Sequence, residues 1–196
     1  MTRENNKRKS KIIKNLEFKN YGFIQVYTGN GKGKTTASLG LTLRALGQNW
    51  KVLIIFFVKG QGDYGELKSF ANLSKKIKNN LKIVKTGANR IVYFDNITQE
   101  DINQASRAWK CAKYSILKSD FNLIILDEIN IAIDLELINL QEVIEVLKNK
   151  PESKEVVLTG RNAKKEIIEI ADLVSEINPI KHYYNSGIKS RKGIEY

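Results

Sequence analysis

The sequence predicts an α/β fold in which a mostly parallel sheet carries helices on both faces. Three observations carry that expectation. From Tyr21 onward, strand-like apolar runs alternate with helix-like stretches, the pattern of successive strand–helix–strand units. Two of the runs, Lys51 to Val58 and Phe121 to Leu126, are continuous rather than alternating, as strands buried on both faces are. A glycine-rich turn, Thr28-Gly29-Asn30-Gly31-Lys32-Gly33-Lys34-Thr35-Thr36, joins the first strand to the first helix.

The elements follow in order. Residues 1–20 form a charged arm, with a helical segment expected through Ile12, Ile13 and Leu16. The first strand runs from Gly22 to Tyr27, and the helix after the glycine-rich turn spans Thr36 to Leu46, ending near Gly47. After the strand beginning at Lys51, Gly60 to Gly65 is a loop and Glu66 to Ile77 an amphipathic helix. Leu81 to Lys85 is a third strand, followed by a loop from Gly87 to Ile97. Thr98 and Asp101 have the spacing of a capping box, opening a helix that reaches Leu117. Beyond the strand ending at Leu126, Leu140 to Lys148 is helical and stops before Pro151. Glu155 to Leu158 is a strand, Gly160 turns it into a helix over Ala163 to Ala171, and Leu173 to Ile177 is the last strand. The reading is one P-loop domain over residues 21–196, preceded by the basic arm.

The glycine-rich turn carries the chemistry. A strand, a turn able to aim consecutive backbone N–H groups inward, and a helix N-terminus together make an anion cradle. Lys34 can reach a phosphate oxygen, and the Thr35 hydroxyl can bind magnesium. The usual spacing, G-x-x-x-x-G-K-[ST], asks for glycine where this chain has Thr28; starting from Gly29 the loop is one residue short. Such a loop is expected to hold a polyphosphate differently from an ordinary ATPase or kinase. The second half of the site is Asp127-Glu128, at the end of the run Leu123 to Leu126. An acidic residue there sits beside the loop and can hold magnesium. Strand side chains alternate, so one carboxylate faces the metal and the other supports the loop or substrate.

Composition sets the limits. With 196 residues, 42% hydrophobic and 28% charged, the chain reads as a soluble globular protein with a substantial core. No apolar run approaches the roughly 20 residues of a membrane span, and Met1 to Lys14 lacks a secretory core. A single cysteine, Cys111, excludes an internal disulfide and reads as a packing residue. A cytoplasmic protein with no membrane partner is expected. The net charge of +12 is spread along the chain, dense only at Lys7 to Lys11, with no aromatic ladder, so nucleic acid is not the expected partner. The one histidine, His182, lacks the partners of a zinc site and reads as a surface or hydrogen-bonding residue.

Taken together, the motifs resemble the ATP:corrinoid adenosyltransferases of the CobA/CobO/BtuR type. The likeness runs from about Tyr21 to Tyr196. Besides the phosphate loop it includes Lys59-Gly60, Gly65-Glu66, Thr86-Gly87, Leu126-Asp127-Glu128 and Thr159-Gly160-Arg161. It closes with Asp172 to Glu176, Pro179 to His182, and Gly187 to Tyr196. The resemblance implies transfer of the 5′-deoxyadenosyl group of ATP to the cobalt of a reduced corrinoid, with release of triphosphate. It also implies ATP held in reversed orientation, its terminal phosphate deep in the short loop. Gly29, Asn30, Gly31, Lys32, Gly33, Lys34, Thr35 and Thr36 would bind the nucleotide, with Lys59, Glu66 and Arg161 near it or the corrinoid. Lys34 and Glu128 would stabilise the leaving triphosphate, Thr35 and Glu128 holding Mg2+. A reduced flavoprotein would supply the electron, and a homodimer is expected, the arm covering a partner's site.

One stretch departs from the family. Where members often carry Phe-x-Trp after Thr-Gly, this chain reads Thr86-Gly87-Ala88-Asn89-Arg90-Ile91-Val92-Tyr93-Phe94. Tyr93 and Phe94 either replace those corrinoid-side aromatics, which help to displace the lower cobalt ligand, or belong to the core. The competing readings are a P-loop ATPase or small-molecule kinase with another acceptor, and a nucleotide-dependent binding module.

Overall fold

A computed structural model describes residues 21–58, 60, 64–88, 90 and 92–196. The basic arm and Lys59 lie outside the described residues. The chain alternates strand and helix as the apolar pattern demands. β1 (Ile24–Thr28) leads to α1 (Lys34–Gly47), β2 (Val52–Phe56), the short helices α2 (Gly65–Ala71) and α3 (Lys75–Lys78), and β3 (Leu81–Lys85). Then come α4 (Gln99–Lys118), β4 (Leu123–Asp127), α5 (Ile129–Asp134), α6 (Leu140–Lys148), β5 (Glu155–Thr159), α7 (Lys165–Ile170) and β6 (Leu173–Glu176). The six strands form one sheet in the order β3-β2-β4-β5-β1-β6, every pairing parallel.

Period-two alternation divides the core. Val52, Ile54 and Phe56 of β2, with Leu123, Ile125 and Val157, pack under Leu39, Ala45 and Leu46 of α1 and Phe70 of α2. Leu53 and Ile55, with Ile124, Leu126, Val156 and Leu158, face α4, α6 and Ile167 of α7 on the other side. Helices therefore cover both faces, and β2, β4 and β5 are buried along their whole length. α4 approaches closely because its inner stripe is Ala105, Ala108 and Ala112, flanked by Trp109 and Ile116. Its start is the expected capping box. The Thr98 hydroxyl accepts the Asp101 N–H at 3.4 Å, and the Asp101 carboxylate accepts the Thr98 N–H at 2.8 Å.

One helical prediction differs from the structure, and one helix goes unpredicted. The stretch 66–77 is not one helix: α2 ends at Ala71, where the Asn72 N–H turns back to Ser69 and Phe70 carbonyls, and α3 restarts after Ser74. Asn and Ser compete for backbone bonds and so favour such breaks. α5 has no signal in the sequence, because six residues after a strand are too few to show helical periodicity. Among the described residues no helix is long and apolar enough to cross a membrane.

Candidate functional site

With all strands parallel, their carboxyl ends share one edge of the sheet, where ligands of open α/β folds bind. β1 ends there at Thr28, and the five residues Gly29 to Gly33 carry the chain into α1. The loop lies tightly against the end of β6. The Gly31 N–H donates to the Ile177 carbonyl at 2.6 Å. Gly29 has φ +90, and a Cβ there would sit 2.5 Å from the same oxygen, so only glycine fits. Gly33, φ +124, precedes α1 without a side-chain cap, and the first turn of α1 holds no acidic residue. Its leading N–H groups thus point at the loop with a positive dipole end uncompensated by any carboxylate of its own. The Lys34 side chain is buried and crosses the loop, donating to the carbonyls of Gly29 at 2.7 Å and Gly31 at 2.8 Å.

The acidic strand end meets this loop from below. Asp127 is fully buried; its carboxylate accepts from the Thr159 hydroxyl at 2.8 Å and from the Thr35 hydroxyl at 3.4 Å. The next residue, Glu128, has a left-handed backbone, φ 62, and its N–H donates to the Thr159 hydroxyl at 2.9 Å. That turn ends β4, and the Glu128 side chain lines the cleft above the loop while Asp127 lies beneath Thr35. Hard oxygen donors from Thr35, Asp127 and Glu128 are thereby gathered beside an anion cradle.

The cleft has a volume of about 840 Å3, within the range of small-ligand sites. Its polar end is formed by Asn30 to Thr36 with Glu128 and Arg161. Its apolar end lies between α1 and α2, at Leu39, Leu43 and Phe70. Glu66 lines it as well. Gly29 does not line it but stands behind the loop, against Ile177. Tyr93 and Phe94 are 58% and 62% exposed, which excludes a core role; neither lines the cleft. They ride on a single turn at Phe94–Asn96, where the Asn96 side chain accepts the Tyr93 N–H and Arg90 at 2.8 Å each. Arg90 also pairs with the buried Asp101. Burial pushes the Asp101 carboxyl up, but hydrogen bonds from Thr98 and the Arg90 charge outweigh it and hold it below its usual value.

Two groups of cleft residues were not assigned from sequence. The apolar end was hidden because Leu39, Leu43 and Phe70 read as ordinary helical positions. The other group is Gly193 to Tyr196, which with His182 closes one side of the cleft. Its residues belong to the family-like sequence pattern, which assigns them no role. His182 itself accepts the Tyr184 N–H on Nδ1 at 3.1 Å, a hydrogen-bonding histidine that caps the turn Tyr183–Ser186.

Comparison with known proteins gives a consistent result. The family model described as ATP:corrinoid adenosyltransferase BtuR/CobO/CobP matches residues 20–196. The Corrinoid adenosyltransferase of Escherichia coli (strain K12) is 36% identical over 176 residues, covering 89% of this chain and 86% of that protein. The protein of the same name from Pseudomonas aeruginosa is 35% identical over 175 residues, covering 89% and 84%. One from Sinorhizobium sp is 38% identical over 176 residues, covering 89% and 80%.

Proposed function

Because the chain belongs to the ATP:corrinoid adenosyltransferases, we propose that its cleft seats the triphosphate of ATP at Asn30–Thr36 and turns the ribose C5′ outward. The enzyme transfers the 5′-deoxyadenosyl group of ATP to the cobalt of a reduced corrinoid, releasing triphosphate. The bond from C5′ to the triphosphate oxygen breaks, and its electron pair leaves with the triphosphate. The new bond is made with the electron pair of the substrate's cobalt(I). A nucleophile this strong needs no general base. The protein has two tasks instead, aligning C5′ with the cobalt and stabilising the charge that develops on the leaving oxygen.

The observation that carries this reading is the construction of the loop. The start of α1 carries no side-chain cap, the Lys34 ammonium crosses the loop to the Gly29 and Gly31 carbonyls, and the loop packs against Ile177. Such a cradle suits the far end of a polyphosphate. Arg161 and Lys32 extend the positive lining, and Glu66 stands at the rim, near nucleotide or corrinoid. Magnesium fits the donor set, because Thr35, Asp127 and Glu128 offer hydroxyl and carboxylate oxygens beside the proposed triphosphate cradle. Those residues would hold it, and when bound it would supply charge neutralisation to the leaving triphosphate.

Tyr93 and Phe94, exposed on a turn braced by Arg90 and Asn96, are the aromatic groups proposed to meet the corrinoid and to displace its lower ligand. The reading includes one catalytic domain over 21–196, the arm 1–20 covering a partner subunit's site in a homodimer, a reduced flavoprotein as electron donor, and a cytoplasmic location. Product analysis tests the central claim. Incubation of ATP with chemically reduced cobinamide or cobalamin is expected to yield the adenosylated corrinoid and intact triphosphate in equal amounts. Orthophosphate and ADP without adenosylation would refute it.

A further inference from the structure

The segment from His182 to Tyr196 reaches back across the mouth of the phosphate loop, and its tie to the loop is polar. From the loop, the Lys32 ammonium donates to the Ile194 carbonyl at 2.8 Å and lies 3.4 Å from the Glu195 carboxylate. The same carboxylate accepts from the Tyr183 hydroxyl and from the Arg191 N–H at 2.7 Å, with the Arg191 Nε at 3.4 Å. The Arg191 guanidinium in turn lies 4.9 Å over the Tyr183 ring. Glu195 is thus the point where three separate pieces of chain meet, and its side chain is only 19% exposed on an otherwise open surface.

Apolar packing contributes little here. Ile188, Ile194 and Tyr196 are 44%, 56% and 44% exposed, and the segment's own backbone bonds are short-range turns such as Glu195 N–H to Arg191. A segment held this way depends on its charged contacts. The Tyr183 hydroxyl bond, ahead of those from Arg191 and Lys32, draws the Glu195 carboxyl down to about 2 against the opposing effect of burial. It is therefore ionised across the working range of an enzyme. Its negative charge is met by Lys32, Arg191 and the Tyr183 hydroxyl, which limits its repulsion of a neighbouring phosphate. Beyond it, Tyr196 and Gly65 both line the cleft, so the segment spans from the loop to the start of α2.

We propose that Glu195 is a positioning residue for the nucleotide: through Lys32 and Tyr183 it holds residues 193–196 as one wall of the triphosphate cleft. The wall keeps the Lys32 ammonium at the rim of the loop and narrows the opening through which triphosphate leaves. This rests on the assignment of residues 29–36 as the triphosphate cradle. A positioning role of this kind acts on binding and release of the polyphosphate more than on the transfer step.

The test uses the full chain, Glu195→Gln and Tyr183→Phe, with inorganic tripolyphosphate and magnesium as the binding probe. ATP kinetics with chemically reduced cobalamin and amide hydrogen exchange are measured on the same three proteins. Loss of a charge-assisted contact is expected to weaken tripolyphosphate binding and raise the KM for ATP about tenfold in each variant. The kcat should stay within about twofold. Exchange over residues 191–196 should quicken while that of the central strands is unchanged, which shows that the fold is retained. Unchanged affinity and KM in both variants, or a loss confined to kcat, would overturn the proposal. So would tighter binding by Glu195→Gln, which would mean that the carboxylate competes with phosphate for Lys32. If the wild-type protein fails to bind tripolyphosphate, the cradle assignment falls and this proposal with it. Wild-type binding with unaltered variants removes this proposal alone.

Discussion

Replacing Gly29 with alanine tests the fit between the phosphate loop and the end of β6. Two costs arise at once. At φ +90 any residue with a Cβ is strained, by about 1–3 kcal/mol. The added methyl would also lie 2.5 Å from the Ile177 oxygen, where ordinary contact begins at 3.4 Å, so the loop or β6 must give by about 0.9 Å. Overlap of that kind in packed structure costs about 1–3 kcal/mol more. Gly33→Ala separates the two effects, because its φ is +124 but nothing lies within 4 Å of the new Cβ. Urea denaturation is therefore expected to show a loss of about 2–6 kcal/mol for Gly29→Ala and about 1–3 kcal/mol for Gly33→Ala. The movement would drag the Gly31 N–H from its bond to Ile177, displacing the amides proposed to hold the triphosphate. A misplacement near 1 Å can cost about a hundredfold, so the KM for ATP should rise at least tenfold in Gly29→Ala. If the two variants were equally stable and Gly29→Ala bound ATP normally, the close packing of loop on β6 would not set the shape of the cradle.

Lys34→Ala should lower kcat/KM by about a thousandfold while circular dichroism stays that of the wild type; near-normal turnover would contradict its phosphate role. The double change Tyr93→Ala with Phe94→Ala should impair adenosylation that starts from cobalt(II) with a reduced flavoprotein more than adenosylation of chemically pre-reduced corrinoid. Equal effects in the two assays would reject a role in displacing the lower ligand. Thr98→Ala should cost about 1 kcal/mol in urea denaturation, as loss of a helix cap does. Asp101 adds a pH signature. Its carboxyl is held below the ordinary value, so the stabilisation is present above about pH 4 and is lost as pH falls through the folded-state value. Asp101→Asn should accordingly flatten the acid side of the stability profile, and an unchanged acid limb would argue against the Arg90–Asp101–Thr98 cluster.

Local features of this protein are written in short stretches of its sequence. Alternating apolar runs settle the α/β class, because a strand and a helix each bury a face at their own period within a few residues. The glycine-rich loop was legible for the same reason: strand, glycines, lysine and helix start are covalent neighbours. The Thr98 capping box, spanning four residues, was equally readable. The remaining features arise only when distant segments pack together. Strand order, and with it the meeting of β1 and β6 at Gly31 and Ile177, depends on which parallel crossovers pack together. The contact of Asp127 with Thr35 and the wall built by Glu195 join residues far apart in the chain; Lys32 and Ile194 are 162 positions apart. No short window of sequence carries such pairings, since each partner alone is an ordinary polar residue that takes on its role when folding brings the other to it.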